Sequence, residues 1–452
     1  MKMLLTTFLL LLLTVGIRAQ ENALDTYIHT AFTNNQGLTG QQLQLEKSLY
    51  ALKEARALFL PNVSFGASYT KADGGRTIDL PLGDLLNPIY QSLNQLTGST
   101  KFPTLQNKSV LLTPDDYYDA RLRTTLPLIN AEIYYNEKIK KETISGKRAA
   151  VNVYKRELVK EIKTAYYRYY QAEKATEIYN NALNLVNENI RVNQSLLKNG
   201  LRNSTALTRS ETEKQKIETS ITQATNNRNN IQTYLNFLMN RPLDSGIILD
   251  TASFVTESES QNGILNLNTD GREELVELQS AIQTHELNRK LQSAYLVPKL
   301  NTYLDLGSQG FNFKYNDKTQ YYVWGVSLEM NLFAAGLHKS RIQQASVGKQ
   351  EAESNYQETS SQLRMQLVQS VNNLHTALSD YQNAKKQLAL ADKYYADQFK
   401  VYKAGQLLYI ELLDALTQLT NARLQLAVTI ANVQVAYADT ERNAATYPLN
   451  KY

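Results

Sequence analysis

Residues 367–405, LVQSVNNLHTALSDYQNAKKQLALADKYYADQFKVYKAG, decide the fold. Leu367, Val371, Leu374, Leu378, Tyr381, Lys385, Leu388, Asp392, Tyr395, Phe399 and Tyr402 recur in steps of four and three. That spacing is the 3.5-residue seam of a left-handed coiled coil. The run then meets Gly405, a residue that adopts the left-handed backbone closing a helix and turning the chain. The same pattern occurs earlier: Ala172, Thr176, Tyr179, Leu183, Val186, Ile190, Asn193 and Leu197 lead to Gly200. The polar members Asn193, Lys385 and Asp392 describe an imperfect seam, as in a helix with two different neighbours. Prolines stand at 61, 81, 88, 103, 114, 127, 242, 298 and 448, with none from Leu128 to Arg241 or from Lys299 to Tyr447. An internal proline costs a helix about 3 kcal/mol, so both gaps admit very long helices. A second helix is expected to run to about Met239 in the first half and about Ala445 in the second. One unbroken helix with a tolerated glycine is the alternative; recurrence in both halves favours hairpins.

Upstream of each hairpin lie two alternating segments. Val63, Phe65, Ala67 and Tyr69 share a face opposite Ser64, Gly66 and Ser68; Tyr118, Ala120, Leu122, Thr124 and Leu126 oppose Asp119, Arg121 and Arg123. The second half repeats this with Leu300, Thr302, Leu304 and Leu306, then Tyr322, Trp324, Val326, Leu328 and Met330. A period of two over about ten residues, with one face polar or tiny, fits transmembrane β-strands. Tyr69, Tyr118, Tyr303, Tyr322 and Trp324 gather near the strand ends as a candidate membrane aromatic girdle. A soluble hairpin with one buried face is the competing reading of any single strand.

Charge and composition narrow the classes. Net charge is +5 over 452 residues, and no basic run marks a nucleic-acid partner. The absence of cysteine removes disulfides, thiolate metal sites and cysteine nucleophiles. Met1-Lys2, the apolar stretch Leu4 to Ile17 and Ala19 read as a signal peptide at 1–19. No segment is apolar for the roughly 18 residues that a spanning helix needs. A membrane location therefore implies a β-barrel. The four histidines, 29, 285, 338 and 375, show no metal-ligand spacing, and no phosphate loop, nucleophile elbow or HExxH motif is present. The reading is of a protein that is not an enzyme, with no cofactor, no metal and no catalytic residue.

The domain plan is a first repeat at 20–240, with a helix, strands at about 61–71 and 117–127 and a hairpin at 130–240. A connecting equatorial segment at 241–270 follows. The second repeat, at 271–446, has a helix, strands at about 298–308 and 320–332 and a hairpin at 336–446, before a tail at 447–452. The first strand pair carries the longer loop, roughly Lys71 to Asp116, expected to be a large exposed one. The fold class is mainly α with a small β part. Four strands cannot close a barrel, and open edges in lipid have no hydrogen-bond partners. Three copies pooling strands would give twelve.

The two repeats, Leu60-Pro61 and Val297-Pro298 before the first strand of each, Leu128-Ile129 and Leu332-Phe333 after the second, and Tyr402-x-x-Gly405 carry a family resemblance. Over roughly 21–446 the chain resembles the TolC-like outer membrane efflux proteins, or outer membrane factors. The resemblance implies a homotrimer in the outer membrane of a Gram-negative bacterium, with a shared 12-stranded β-barrel and a periplasmic α-barrel of helical hairpins. Its partners would be outer membrane lipid, a periplasmic adaptor (membrane fusion) protein and, through it, an inner-membrane pump. The function implied is a passive exit duct for tripartite efflux or type I secretion. A secreted structural coiled-coil protein without channel activity is the alternative.

The resemblance also supplies site expectations. Glu411 and Asp414 fall where the family carries an acidic pair at the periplasmic entrance, and at i, i+3 both can face one lumen; a solvated helix face is the plainer reading. Gly200 and Gly405 mark the hairpin tips expected to meet the adaptor. Family entrances are often held shut by links from the position of Tyr402 to a basic residue after the second glycine and an acidic one after the first. Those positions are Leu407 and Ala206 here, so other contacts must serve, with Arg202 and Arg209 as candidates.

Overall fold

The computed structural model describes residues 23–201, 203–250 and 268–449. The signal-peptide reading at 1–19, Arg202 and most of the connecting segment lie outside them. Each proline-free stretch holds a hairpin of long helices, the second after a strand pair. Helix α4 (Ala131–Lys198, 68 residues) and α5 (Ser204–Leu238, 35 residues) form the first hairpin. Helices α7 (Leu337–Lys403, 67 residues) and α8 (Tyr409–Ala444, 36 residues) form the second. The preceding helices are α1 (Ala23–Asn34), α2 (Gln36–Ala57), α3 (Leu82–Thr97) and α6 (Glu273–Ser293). The strands are β1 (Asn62–Thr70), β2 (Thr77–Leu80), β3 (Lys108–Leu111), β4 (Tyr117–Ile129), β5 (Lys299–Phe311) and β6 (Gln320–Glu329). The chain divides into two compact units, each drawing on both repeats. One comprises Met1–Leu49, Glu142–His285 and Val347–Tyr452; the other comprises Tyr50–Lys141 and Glu286–Ser346.

Both hairpin turns have the same geometry. Gly200 has φ 71° and Gly405 φ 78°. Gly200 N–H donates to Leu197 O (3.0 Å) and Leu201 N–H to Leu196 O (2.9 Å). Gly405 N–H donates to Tyr402 O (2.9 Å) and Gln406 N–H to Val401 O (3.3 Å). These are Schellman motifs, which satisfy the last carbonyls of a helix by placing one residue in the left-handed region.

In the helical unit, the start of the first repeat is two helices where a single one was expected. Asn35 Oδ1 accepts from Leu38 N–H (2.9 Å), capping α2, while its Nδ2 donates to Leu238 O (2.8 Å). The side chain thus serves a new helix start and a distant carbonyl together. Around it, Leu24, Ile28 and Ala31 pack with Val159, Ile162, Tyr166, Leu235 and Met239 as one buried core.

Four strands form one antiparallel sheet in the order β1-β4-β5-β6. Its register, with Phe65 opposite Leu122, Leu122 opposite Leu306 and Leu304 opposite Trp324, puts the apolar positions of all four strands on one face. The other face carries Ser64, Asp119, Arg121, Arg123, Tyr303, Asp305, Tyr321 and Ser327. Pro127, which cannot donate to a ladder, sits at the register shift between β4 and β5. The stretch read as one exposed loop holds structure of its own: β2 pairs with β3 on either side of α3.

A polar cluster joins α4, the start of α6 and the end of α8. Arg272, 1% exposed, pairs with Glu274 (2.7 Å) and donates to Asn443 O (2.9 Å). Arg442 bridges Glu274 (2.8 Å) and Glu157 (2.7 Å), and Arg156 pairs with Glu273 (2.6 Å). Burial works against the Glu274 carboxylate, but Arg272 and Arg442 outweigh it and hold it down at about 2. A depressed carboxylate stabilises the fold above its unfolded value of about 4.5, and that contribution is lost as pH falls toward about 2. After allowance for partial solvent access it is on the order of 2 kcal/mol. Circular dichroism melting should therefore show Glu274→Gln less stable than the parent at pH 7, with a shallower loss of stability between pH 4.5 and 2. Equal pH profiles for the two proteins would count against this role.

Candidate functional site

The tips of the two hairpins meet in a second buried core. Val186, Val192, Leu196 and Ile217 of the first hairpin pack with Ala391, Tyr395, Tyr402, Tyr409, Leu412 and Leu416 of the second. Leu363, Leu367, Ser370, Leu374, Ala377, Ala384, Ala391, Tyr395 and Tyr402 are the buried seam of α7. The burial falls one residue short of several expected positions: Ala384 and Ala391 are buried, while Lys385 and Asp392 are exposed. Asp392 reaches out to Arg423 (2.9 Å). The two charged residues that spoiled the seam therefore flank it.

Asn193 is polar and truly inside. The Tyr402 hydroxyl donates to Asn193 Oδ1, with Tyr402 fully buried. Asn193 Nδ2 donates to Ala206 O (3.3 Å) and Ser210 Oγ (3.3 Å), and Ser210 Oγ donates to Leu207 O (2.7 Å). One asparagine thus fastens the incoming helix to both the outgoing helix and the second hairpin. The Tyr402 partner stands before the first glycine, not after it. The Ala206 position takes part through its carbonyl. Tyr409 packs against Tyr402 with ring centres 5.8 Å apart. Burial pushes the hydroxyl of Tyr395 up to about 12 and also raises that of Tyr409, so both stay protonated. At the rim, Lys403 approaches Glu188 (3.7 Å), which also pairs with Arg191 (2.8 Å).

Glu411 and Asp414 are both exposed on α8. Glu411 lies in the first turn, where a carboxylate also favours the helix start; Asp414 Oδ2 accepts from Gln418 Nε2 (2.7 Å). Arg209 is exposed, and Arg202 lies outside the described residues.

In the strand unit, the apolar face is open: Phe65 is 73% exposed, Trp324 67% and Tyr322 76%. Tyr69, Tyr118 and Tyr322 stand on it toward the end bearing the 71–116 insertion, and Phe313 stacks on both Tyr69 (5.1 Å) and Tyr118 (5.7 Å). Two residues expected near the strand ends stand elsewhere. Trp324 is on the apolar face but at mid-strand, opposite Leu304. Tyr303 is on the polar face, because its parity is that of Asp305; it lies over Gly325, where a Cβ would come within 2.6 Å of its ring, and beside Arg123. On that polar face, Arg123 grips Asp305 with two bonds (2.7 and 2.6 Å), and the Tyr321 hydroxyl donates to Asp119 (2.8 Å). Charges that face one another are thereby neutralised without covering the apolar side.

Among the described residues, no group of three or more His, Asp or Glu side chains is placed to hold a metal ion, and no helix is long and apolar enough to cross a membrane.

A long antiparallel coiled coil in one unit and a two-faced sheet with open edges in the other are the two parts of the fold. Solved structures share this fold. The chain is similar to VceC of Vibrio cholerae (14% identity, TM-score 0.72, covering 93% of this chain and 95% of that one). It is similar also to the CmeC outer membrane channel of Campylobacter jejuni (13%, 0.73, 93% and 85%). The open state of the MtrE channel of Neisseria gonorrhoeae is a third (15%, 0.73, 93% and 88%). No curated protein matches by sequence. A family model, Outer membrane efflux protein, matches residues 265–441. The chain is thus TolC-like in fold over nearly its whole length, and its second repeat carries the signature of the outer membrane efflux family.

The Asn193–Tyr402 contact can be tested by a double-mutant cycle. Tyr402→Phe strands a buried carbonyl and should cost about 1–3 kcal/mol. Combined with Asn193→Ala it should cost less than the sum, by about 1 kcal/mol. Additive losses in denaturation experiments would place the two side chains out of contact.

Proposed function

We propose that three copies of this chain form a passive exit duct through the outer membrane. The observation that carries the reading is the four-stranded sheet, apolar and exposed on one face, polar on the other, with β1 and β6 as its two edges. Edge N–H and C=O groups exposed to hydrocarbon cost several kcal/mol each, so strands that span a membrane must close into a barrel. β1 of one copy pairing with β6 of the next closes the ring at twelve strands, within the range of known barrels. The apolar face then meets lipid, and Arg121, Arg123, Asp119 and Asp305 line a wet lumen. The helical hairpins extend the duct into the periplasm as an α-barrel, and the tips at Gly200 and Gly405 meet a periplasmic adaptor that delivers cargo from an inner-membrane pump. Transport energy comes from that pump, in a tripartite efflux or type I secretion assembly. Glu411 and Asp414, repeated three times, ring the entrance with carboxylates that favour cations.

Two measurements test the reading. The detergent-extracted particle should have the mass of three chains. A monomer, or protein released without detergent, would sink the duct and favour a secreted coiled-coil protein. In planar bilayers, Glu411→Gln with Asp414→Asn should shift the reversal potential in a salt gradient toward lower cation preference. An unchanged potential would remove these residues from the entrance.

A further inference from the structure

The module between β1 and β4 satisfies its polar groups internally and leaves its apolar side open. One face of α3, Gly83, Asn87, Tyr90 and Asn94, lies on the extended segment 102–107. Asn87 Nδ2 donates to Leu105 O (2.8 Å) while its Oδ1 accepts from Leu105 N–H (2.7 Å). Asn94 does the same with Phe102 (2.8 and 3.1 Å), so two side-chain amides stand in for a neighbouring strand. Asn107 Oδ1 accepts from Gly83 N–H (2.9 Å) and Asp84 N–H (3.1 Å), covering the helix start, and its Nδ2 donates to Asp84 (2.9 Å). Gly83 is required for this approach, since a Cβ there would lie 2.6 Å from Leu105 O.

The adjacent stripe of α3, Leu82, Leu85, Ile89, Leu93 and Leu96, steps by three and four. Leu85 is 63% and Leu96 83% exposed. Ile78, Leu80 and Val110, also exposed, share one face of the β2–β3 ladder. Together these side chains expose on the order of 500 Å² of apolar surface, at the upper end for a monomer and more than half of one side of a standard protein interface.

We propose that the α3 stripe is an interface between copies of this chain, packing on the neighbouring protomer beyond the aromatic end of the sheet. The inference rests on the strand-pooling reading. β1 is the edge strand that must meet another copy, and it leads directly into this module, so the apolar stripe stands at the junction between protomers. A lipid headgroup surface fits poorly: the only charge on α3 is Asp84, already held by Asn107, and the ladder face adds a single base, Lys108, where anionic lipid takes a cluster.

The natural absence of cysteine allows a direct test. Leu85→Cys, on the stripe, and Gln91→Cys, off it, are labelled with a maleimide benzophenone in intact outer membranes and irradiated. The mass of the mild-detergent particle is recorded in parallel. The proposal expects a two-chain product from Leu85→Cys and none from Gln91→Cys. A three-chain particle whose Leu85 probe yields only lipid adducts, another protein or no product overturns the interface and leaves strand pooling standing. A one-chain particle overturns both. As a second readout, Leu85→Asp with Ile89→Asp should lower the temperature at which the oligomer dissociates while leaving the circular dichroism spectrum unchanged; an unaltered dissociation temperature overturns the interface.

Discussion

The backbone N–H and C=O groups on the outer sides of β1 and β6 are the constraint on which the rest depends. The β1-β4-β5-β6 sheet has two edges, and its register places Phe65, Leu122, Leu306 and Trp324 on one face. In water that face would be costly, and in hydrocarbon the unpaired edges would be. Closing such a sheet into a barrel would remove both penalties together. On the polar face, Arg123 and Asp305 neutralise one another directly across β4 and β5.

The helices show the same incompleteness. α7 buries a narrow seam, dominated by Leu and Ala, and leaves Val347, Met365, Val368 and Leu390 exposed. Within the seam, small residues do the close packing: Ala384 and Ala391 let the backbones approach, while Lys385 and Asp392 extend to solvent beside them. Asn193 differs because its amide reaches a hydroxyl, a carbonyl and a serine at once. A buried polar group with several partners fixes which residues of two hairpins lie opposite, which apolar contacts alone do loosely.

Long-range polar contacts were the part of the molecule least visible in the chain order. Tyr402 stood out in the sequence, but Asn193 registered there only as a flaw in a seam; its partner is 209 residues away. Arg272, Glu274 and Arg442 formed no motif at all, since they come from the start of one helix and the end of another. The 71–116 insertion read as a loop because its prolines and short apolar runs lack period, and its order comes from asparagine side chains binding a segment further along. The period-two pattern places Tyr69, Tyr118 and Tyr322 on the apolar face, whereas the parity of Tyr303 puts it on the polar one.

What the sequence by itself determined was whatever depends on backbone periodicity: long helices where proline is absent, turns at Gly200 and Gly405, and the face on which each strand residue stands. These follow from the repeat geometry of helix and strand, which every residue shares with its near neighbours. Only the tertiary structure decided which distant residues meet. Pairing Arg123 with Asp305, 182 positions apart, needs the strand register, and burying Ala384 in place of Lys385 needs the rotation of one helix against the next. Both are settled by packing and hydrogen bonding across the fold, where a shift of one residue costs little locally and changes every partner.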